Sequence, residues 1–423
     1  MKKAKIFYFT LQDEQTKEEK LDWFERTRFE QIPFDHITPD EKANWINLTD
    51  NDFDSLLPLI DKDVKAGKSQ KAVFQLFSAG VKTQRDDWVH DFSKEALIER
   101  MKYFVEVYSD RLENGVRRDL DIKWDRELEK YFERGVKKEL EDKNVVPSLY
   151  RYFTKTYFYF DRHFNGMTYQ MFNIFRSPES KNKLIGFMGQ PAGKSFSIIA
   201  TNLVPDQNCI SPASGGVQCL PLYRYDKDGN HIDNITDWGL TQLHSYYNDR
   251  TITKQDIFHY TYAVLLHPAY RTKYELNLKR EFPRLPFYAD FHQWATWGKA
   301  LMDLHLNYEA IAPYELNRVE IATKDNPKAK LKADKVNGVI TLDENTELTG
   351  VPAIAWDYKL GNRSALEWIL DQYKEKKPKD PTIAKLFNTY KFADYKEQVI
   401  DLLDRVCTVS VKTMEIIQQM PVE

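Results

Sequence analysis

The chain has 423 residues, of which 30% are charged and 42% hydrophobic, and its formal net charge is −3. This composition is typical of a globular protein with two or three domains, and it excludes a chain that is disordered over most of its length. No apolar run approaches the ~20 residues of a membrane-spanning helix, and the apolar stretch after Met1 is too short for a secretory signal, so we expect a cytoplasmic protein.

The charge distribution and the cysteines indicate what the protein contacts and which compartment it occupies. Residues 147–300 carry a net charge of +5, whereas residues 1–146 carry −5 and residues 301–423 carry −3. A basic middle third inside an acidic chain is suited to phosphate contacts. The three cysteines, an odd number without metal-ligand spacing, indicate buried thiols in a reducing compartment.

The first 140 residues mix strand and helix patterns. Residues 5–10 predict a strand, and Thr16 with Glu19 forms a capping-box pattern that opens a helix. Apolar positions repeat at helical spacing over residues 93–108, and residues 119–140 show a second, highly charged helical pattern. We expect both to be scaffold helices.

Residues 146–165 thread Arg151, Lys155 and Arg162 through eight aromatic rings. Aromatic side chains favour an extended strand over residues 157–160, and residues 161–166 supply turn chemistry. Two interpretations fit this tract, a nucleic-acid surface and a core strand with charged flanks.

Short strand patterns continue through the middle of the chain. Residues 183–188 and 195–200 flank the loop 189–193, which predicts a hairpin, and residues 220–225 predict a strand that meets a turn at 226–230.

The remainder is mainly helical, with one predicted linker. Thr253 and Asp256 cap a helix that Pro268 breaks. Further predicted elements are a continuation over 270–278, a helix over 290–310, a solvated linker over 324–337, and helices over 364–373 and 395–418. The elements together predict an α+β fold with a mixed or antiparallel β-rich middle, a helical scaffold beside it and a C-terminal helical region.

Two short patterns resemble ligand loops but miss a required position. Residues 189–195 (GQPAGKS) resemble a phosphate-binding P-loop, but the spacing is one residue short and a strand pattern follows where a helix is needed. Residues 226–233 resemble a calcium loop, yet His231 stands where glycine is required and Asp237 replaces the closing glutamate, so a hairpin turn is the better interpretation.

Catalytic and metal motifs find little support. Pro39 and Asp40, followed by Asp63 and Lys65, match a loose nuclease pattern that recurs by chance among 64 acidic residues. The nine histidines form no tight cluster with cysteine, which leaves zinc unsupported. Neither a nucleophile elbow nor a dinucleotide-binding glycine turn occurs.

A series of blocks in fixed order carries a resemblance to a known family. Residues 148–161 (SLYRYFTKTYFYFD) look like the start of the target recognition domain of Type ISP restriction-modification enzymes, although Tyr152 stands where the family usually has proline. Similar blocks follow at 218–225 (QCLPLYRY), 234–238 (NITDW), 257–271 (IFHYTYAVLLHPAYR), 278–287 (LKREFPRLPF), 350–352 (GVP), 356–361 (WDYKLG) and 366–373 (LEWILDQY). Upstream, residues 78–92 (SAGVKTQRDDWVHDF) are similar to the family's connector.

The resemblance implies three segments. Residues 1–140 resemble the end of the methyltransferase module and its connector, 141–300 the β-rich then helical DNA target recognition domain, and 301–423 its mostly helical C-terminal part. The chain would read double-stranded DNA and contact the methyltransferase and helicase/nuclease modules of the same enzyme. Those modules would methylate adenine at N6 and cut DNA, and S-adenosylmethionine, ATP and Mg would belong to them, with no cofactor in this chain. We expect either the C-terminal part of a longer enzyme or a separate specificity subunit.

Loop position and residue type select the candidate contacts. Duplex readers work from groove-facing loops, whereas stacking on exposed bases belongs mainly to single strands, so we expect the rings of 146–165 to lie inside the sheet. For each candidate the alternative is a solvated surface side chain. The base-reading candidates are Arg162, Arg176, Lys181, Asn182, Lys183 and Gln190, and the phosphate candidates are Lys155, Lys194, Ser195 and Arg224.

Two other functions stay open at this point. One is a nucleotide-dependent phosphotransferase or hydrolase that uses the loop 189–195. The other is a scaffold that docks the catalytic modules without contacting DNA.

Overall fold

A computed structural model describes residues 4–12, 15–39, 51–115, 121–177, 180–210, 215–322 and 327–421. Its strands are β1 Ile6–Tyr8, β2 Asp35–Ile37, β3 Leu57–Pro58, β4 Ser78–Ala79, β5 His90–Asp91, β6 Val145–Arg151, β7 Thr154–Tyr159, β8 Leu184–Met188, β9 Ile198–Thr201, β10 Val204–Pro205, β11 Val217–Pro221, β12 Tyr223–Tyr225, β13 His231–Asp233, β14 Arg284–Leu285, β15 Asn317–Glu320, β16 Ala329–Asp334, β17 Val339–Asp343, β18 Thr346–Thr349, β19 Lys359–Leu360 and β20 Arg363–Ser364.

The α-helices connect and cover these strands. They are α1 Lys17–Arg26, α2 Lys62–Lys65, α3 Asp86–Val89, α4 Lys94–Asn114, α5 Arg126–Glu133, α6 Met171–Ile174, α7 Asp237–Tyr247, α8 Lys254–Leu266, α9 Pro268–Lys273, α10 Glu275–Arg280, α11 Phe291–Leu306, α12 Ala353–Asp357, α13 Ala365–Gln372 and α14 Phe392–Ile417. Short 3-10 turns lie at Phe29–Gln31, Asp52–Ser55 and Asp142–Asn144, and a π-helical turn lies at Ile383–Phe387. None of the helices in the described ranges combines the length and apolarity that crossing a bilayer requires.

Two four-stranded sheets form the middle of the molecule. The first has the order β10-β6-β7-β5, with β10 parallel to β6 and the other pairs antiparallel. The second is antiparallel throughout and has the order β4-β11-β8-β9. A bridge between Val81 and Asp206 links the chain beyond β4 to the chain beyond β10, so the two sheets hold each other in place. A third antiparallel sheet, β15-β18-β17-β16, lies in the C-terminal part.

Helices α8 and α11 pack closely beside the sheets. All ten residues from Ile257 to Leu266 in α8 are buried, so this helix is surrounded by protein along most of its length. Gly298 in α11 permits the close approach, because a Cβ there would lie 1.8 Å from the carbonyl oxygen of His259. The apolar core continues through the described residues from Phe53 to Met420.

Most of the predicted elements are confirmed. The capping boxes at Thr16 and Thr253 both form, the hairpin β8–β9 encloses the loop 189–193, and the α+β class holds. Residues 226–230 form a turn in which the Asp226 Oδ1 accepts hydrogen bonds from the backbone N–H of Asp228 and Asn230 at 2.9 and 2.8 Å, so it is a hairpin turn as predicted.

Two predictions require correction. The predicted linker 324–337 is wrong over its described part, because β16 pairs with β17 there and buries Leu331, while residues 324–326 lie outside the described residues. Alternation in AKLKAD was the strand signal, and the surrounding charges concealed it. The helix predicted over 119–140 is reduced to α5, since Gly135 adopts a φ of 67° just past its end; residues 119 and 120 lie outside the described range.

The boundaries of the three predicted segments stay a prediction. Strands β4 and β5 belong to the first segment in sequence, and they are hydrogen-bonded to β11 and β7 of the second segment. The connector is therefore part of both middle sheets.

Candidate nucleic-acid interface

The aromatic tract forms a stack of rings across the first sheet. Within it, Phe158, Tyr159 and Phe160 are buried and Tyr157 is 38% exposed, which confirms that its rings lie mainly inside the sheet. Three rings of this tract and two from elsewhere form a series of stacked or tilted rings with a guanidinium group at each end, which we call the ring column. Its members are, in order, Arg151, Tyr150, His90, Phe158, Phe160, Phe172 and Arg162.

The end of the ring column that carries Arg162 contains the two rings of the column that lie closest together. The rings of Phe160 and Phe172 are parallel within 6°, with centroids 4.0 Å apart. The Cζ of Arg162 lies 4.6 Å from the centroid of Phe172, which is a cation–π distance. Phe172 belongs to α6, whereas Phe160 directly follows β7, so two elements combine to form this platform. Sequence analysis missed Phe172, because a four-residue helix leaves little periodicity to detect.

The 161–166 turn that carries Arg162 is held from within. The Oδ1 of Asp161 accepts a hydrogen bond from the backbone N–H of His163 at 2.6 Å, and its Oδ2 accepts one from Lys138 at 2.9 Å. The side-chain amide of Asn165 donates to the carbonyl oxygens of Tyr159 and Asp161 at 2.9 and 2.8 Å. In this turn Arg162 is the exposed side chain, while the other five residues are buried.

Arg176, Lys181 and Lys183 lie on the chain between α6 and β8, where Asn182 bonds to the backbone of Tyr223 at the start of β12. The Nη1 of Arg176 donates to the carbonyl oxygen of Asp226 at 2.8 Å, which ties the end of α6 to that turn. Arg176 and Lys181 are exposed and Lys183 is half-buried. Arg176 also lines a cavity of about 340 Å³ together with Phe160 and Phe172, so this basic group lies next to the end of the ring column that carries Arg162.

The two predicted amide readers are engaged with the backbone. Asn182 is buried, donates to the carbonyl oxygen of Tyr223 at 2.9 Å and accepts from the N–H groups of Lys183 and Tyr223. The Nε2 of Gln190 donates to the carbonyl oxygen of Leu278. Both side chains therefore hold loops in position within this structure.

Two backbone N–H groups of the loop 189–195 are bonded to other parts of the chain. The N–H of Gly189 donates to the carbonyl oxygen of Gly216 at 2.7 Å, and the N–H of Ala192 donates to the carbonyl oxygen of Lys279 at 3.0 Å. The chain continues into β9 and not into a helix, so the phosphate-cradling geometry of a P-loop is missing here. Lys194 is exposed at the tip of this loop, whereas Ser195 is 7% exposed.

The remaining phosphate candidates lie apart from one another. Lys155 forms an ion pair with Glu309, and its ammonium group lies 5.2 Å from the ring centroid of Tyr308. Arg224 donates to the carbonyl oxygen of Asp233 at 3.3 Å, and burial lowers the pKa of its guanidinium group. The sequence candidates thus fall in three places. One of them is formed by α6, the start of β8 and β12–β13, and it carries Arg162, Arg176, Lys181, Lys183 and Arg224.

A buried polar cluster lies at the far end of the ring column. The Nη1 of Arg151 is 2.7 Å from the Oδ1 of Asp206, and the Nδ1 of His90 is 2.9 Å from the hydroxyl oxygen of Thr156. Burial raises the pKa of Asp206 to about 7 and lowers the pKa of His90 to about 3. The His90 Nε2 and the Asp206 Oδ2 lie 4.0 Å apart, and neither has a hydrogen-bond partner among the described residues.

Metal chemistry finds no support in the described part of the chain. No group of three or more His, Cys, Asp or Glu side chains there is arranged to hold a metal ion. Of the loose nuclease pattern, Asp63 and Lys65 lie in α2, and Asp40 lies outside the described residues. The ammonium group of Lys65 lies over the ring of Phe77 at 4.4 Å, which gives this lysine a packing role.

Three solved structures resemble the chain over most of its length. A DrdV–DNA complex determined by cryo-electron microscopy is 44% identical, with a TM-score of 0.85 over 96% of this chain and 42% of that one. A nuclease-deletion mutant of the Type ISP restriction-modification enzyme LlaGI, in complex with a DNA substrate mimic, is 28% identical, with a TM-score of 0.73 over 96% of this chain and 32% of that one. The DNA-bound, ATP-dependent Type ISP enzyme LlaBIII is 29% identical, with a TM-score of 0.77 over 92% of this chain and 25% of that one.

The chain thus spans less than half the length of each of these proteins. A search of curated proteins finds no match. The family model described as the Type ISP C-terminal specificity domain matches residues 72–402, which is more than three quarters of the sequence. The chain therefore belongs to the Type ISP C-terminal specificity domain family.

Proposed function

We propose that this chain recognises a specific sequence in double-stranded DNA, as the specificity part of a larger restriction-modification enzyme. The observation that carries the proposal is the family match over residues 72–402, whose solved relatives are DNA complexes. The basic neighbourhood of α6 and β12–β13 supports it, because exposed arginine and lysine side chains there can reach phosphates and base edges.

The geometry refines the proposed contacts. We assign base reading to Arg162, Arg176, Lys181 and Lys183, and phosphate contacts to Lys155, Lys194 and Arg224. The buried Asn182 and Ser195, with the backbone-bonded Gln190, would support the loops that carry those contacts.

Adenine N6 methylation, ATP-driven steps and DNA cleavage belong, in this proposal, to modules outside the chain. S-adenosylmethionine, ATP and magnesium would bind there. Calorimetry of the chain with ATP and magnesium checks this division, and we expect no heat of binding. Measurable binding would instead favour the alternative of a nucleotide-dependent enzyme.

The segment from β1 to β2 supports a second role, that of docking the methyltransferase module. Helix α1 buries none of its side chains, and Phe7, Phe24 and Phe29 are 59%, 62% and 73% exposed. Such a patch marks an interaction surface in a globular protein. We propose that this face packs against the methyltransferase module of the same enzyme.

Selection from randomised duplexes tests the recognition proposal. We expect the full chain to enrich one short sequence, with an affinity that falls steeply as salt rises, because phosphate contacts release counterions. The Arg176→Ala variant should weaken the preference for that sequence. The Lys412→Ala variant, which removes an exposed lysine of α14, should leave the preference unchanged. Equal affinity for all duplexes would refute sequence recognition.

A further inference from the structure

Arg162 combines three properties that no other proposed base reader has together. Its backbone lies in the internally bonded 161–166 turn, its side chain is exposed, and its guanidinium group rests on the ring of Phe172. No hydrogen bond or ion pair to Arg162 occurs among the described residues, so its N–H donors are available. The Nη1 of Arg176, by comparison, already donates to the carbonyl oxygen of Asp226.

A guanidinium group on an aromatic face keeps a defined plane. The attraction between the guanidinium group and the face of the Phe172 ring favours one position of the side chain, and Arg162 is exposed to solvent there. The parallel ring of Phe160 lies behind Phe172 at 4.0 Å, and Phe160 is buried at 7% exposure, so the platform rests on the sheet. The ring column thus orients Arg162 before any ligand arrives.

The turn beneath Arg162 has little freedom to shift. The N–H of Gly166 donates to Thr83 at 3.2 Å, and Met167 and Lys82 exchange backbone hydrogen bonds at 2.8 Å. A Cβ on Gly166 would lie 2.5 Å from the Cγ of Gln84, so the turn packs directly against the connector. The backbone at position 162 is therefore held by its neighbours, and the Cζ of its side chain lies over the Phe172 ring.

We infer that Arg162 reads a guanine in the recognition sequence through a two-hydrogen-bond contact, and that Phe172 is the positioning residue that orients its guanidinium plane. A fixed fork of N–H donors matches the O6 and N7 acceptors that guanine presents in the major groove. A phosphate can also accept two hydrogen bonds from a guanidinium group, but only a guanine contact makes the preference at one position of the site depend on Arg162. The inference rests on the proposed DNA recognition.

Selection with the full chain and with variants tests the inference. The wild-type selection should contain an invariant guanine, and Arg162→Ala should relax that position by about 10- to 100-fold while the other positions stay unchanged. Arg162→Lys should not restore the preference, because lysine lacks the planar fork. Phe172→Leu should relax the same position by about 3- to 10-fold, and Phe172→Tyr, which keeps the ring, should retain it.

A matched control comes from a second stacked arginine. The Cζ of Arg363 lies 5.3 Å from the ring centroid of Trp368, so Arg363→Ala removes a comparable contact elsewhere and should leave every selected position unchanged. Thermal unfolding of each variant separates lost positioning from lost folding, because Phe172→Leu must remain folded at the selection temperature. If it does not, the Phe172→Tyr result and the Arg162→Lys result decide the inference.

The outcomes separate the inference from the proposed function. If Arg162→Ala weakens all sequences equally and lowers the salt dependence by about one counterion, Arg162 is a phosphate contact and the inference is wrong while recognition stands. If Phe172→Leu leaves the guanine preference intact, the positioning role is wrong. If the wild-type chain enriches no sequence, the proposed function fails and the inference fails with it.

Discussion

At the scale of single residues, the opposite pKa shifts of the buried His90 and Asp206 decide which of the two carries a proton. In an unfolded chain, with ordinary pKa values of about 6.5 for histidine and about 3.9 for aspartate, that proton would reside on the histidine between pH 4 and 6.5. In the folded protein, burial moves it to Asp206, because the pKa of Asp206 is raised to about 7 and that of His90 is lowered to about 3. Folding then takes up no proton at this pair between pH 4 and 6.5.

Replacing either His90 or Asp206 should reveal how the other residue makes the free energy of unfolding depend on pH. In Asp206→Asn, His90 stays neutral when folded and charged when unfolded, so the free energy of unfolding should fall as the pH drops from 6.5 toward 3. The slope relative to wild type should approach about 1.4 kcal/mol per pH unit. In His90→Gln, the raised pKa of Asp206 should give the opposite sign, with stability lost as the pH rises from about 4 to 7.

Urea unfolding of the wild type and both variants at pH 4.5, 5.5 and 6.5 measures these slopes. The difference from wild type cancels the contributions of other titrating groups, provided that the substitution leaves them unchanged. Parallel pH profiles for all three proteins would contradict the opposite pKa shifts of His90 and Asp206.

At the scale of elements, the contact between α8 and α11 depends on one glycine. Gly298→Ala would place a Cβ against the backbone of His259, which cannot move as a flexible side chain could. We expect a loss of roughly 1–3 kcal/mol in the free energy of unfolding, despite the helix propensity that alanine adds. Gly239→Ala in α7 is the graded control, because its nearest contact is the Cα of Val73 at 3.0 Å, and its cost should be smaller. Equal stabilities in denaturant titrations would show that α11 can shift.

The elements also show which parts of the fold local sequence patterns can predict. The capping boxes, the β8–β9 hairpin and the long helices follow from patterns within about 20 residues, and those predictions are confirmed. Strands β4 and β5 have two residues each, which is too short for an alternating pattern to predict them. Asn182 and Gln190 have the residue type of base readers, but their partners lie 41 and 88 residues away, and only the tertiary structure reveals them.

At the scale of the whole molecule, the exposed face of α1 and its neighbours predicts association. Replacing both Phe24 and Phe29 by serine should lower self-association of the isolated chain at high concentration, because it removes contiguous apolar surface. Thermal stability should change little, since neither side chain is buried. Sedimentation velocity measures the effect, and Val336→Ser, at a side chain that is 93% exposed elsewhere, is the control.

The same double substitution tests docking in an enzyme that contains the methyltransferase module. We expect adenine methylation to decrease while the sequence selected by the isolated chain stays the same. Unchanged methylation would indicate that another surface holds the two modules together.

The inward-facing bonds of the 161–166 turn have a consequence for the evolution of specificity. Asp161 and Asn165 hold the turn by contacts that do not involve the side chain at position 162, and Gly166 fits it to the connector. Position 162 can therefore change its residue type at a smaller cost in folding than Asp161 or Asn165 can. A new target preference could arise here by a single substitution, and a transplanted turn would have to bring residues 82–84 with it.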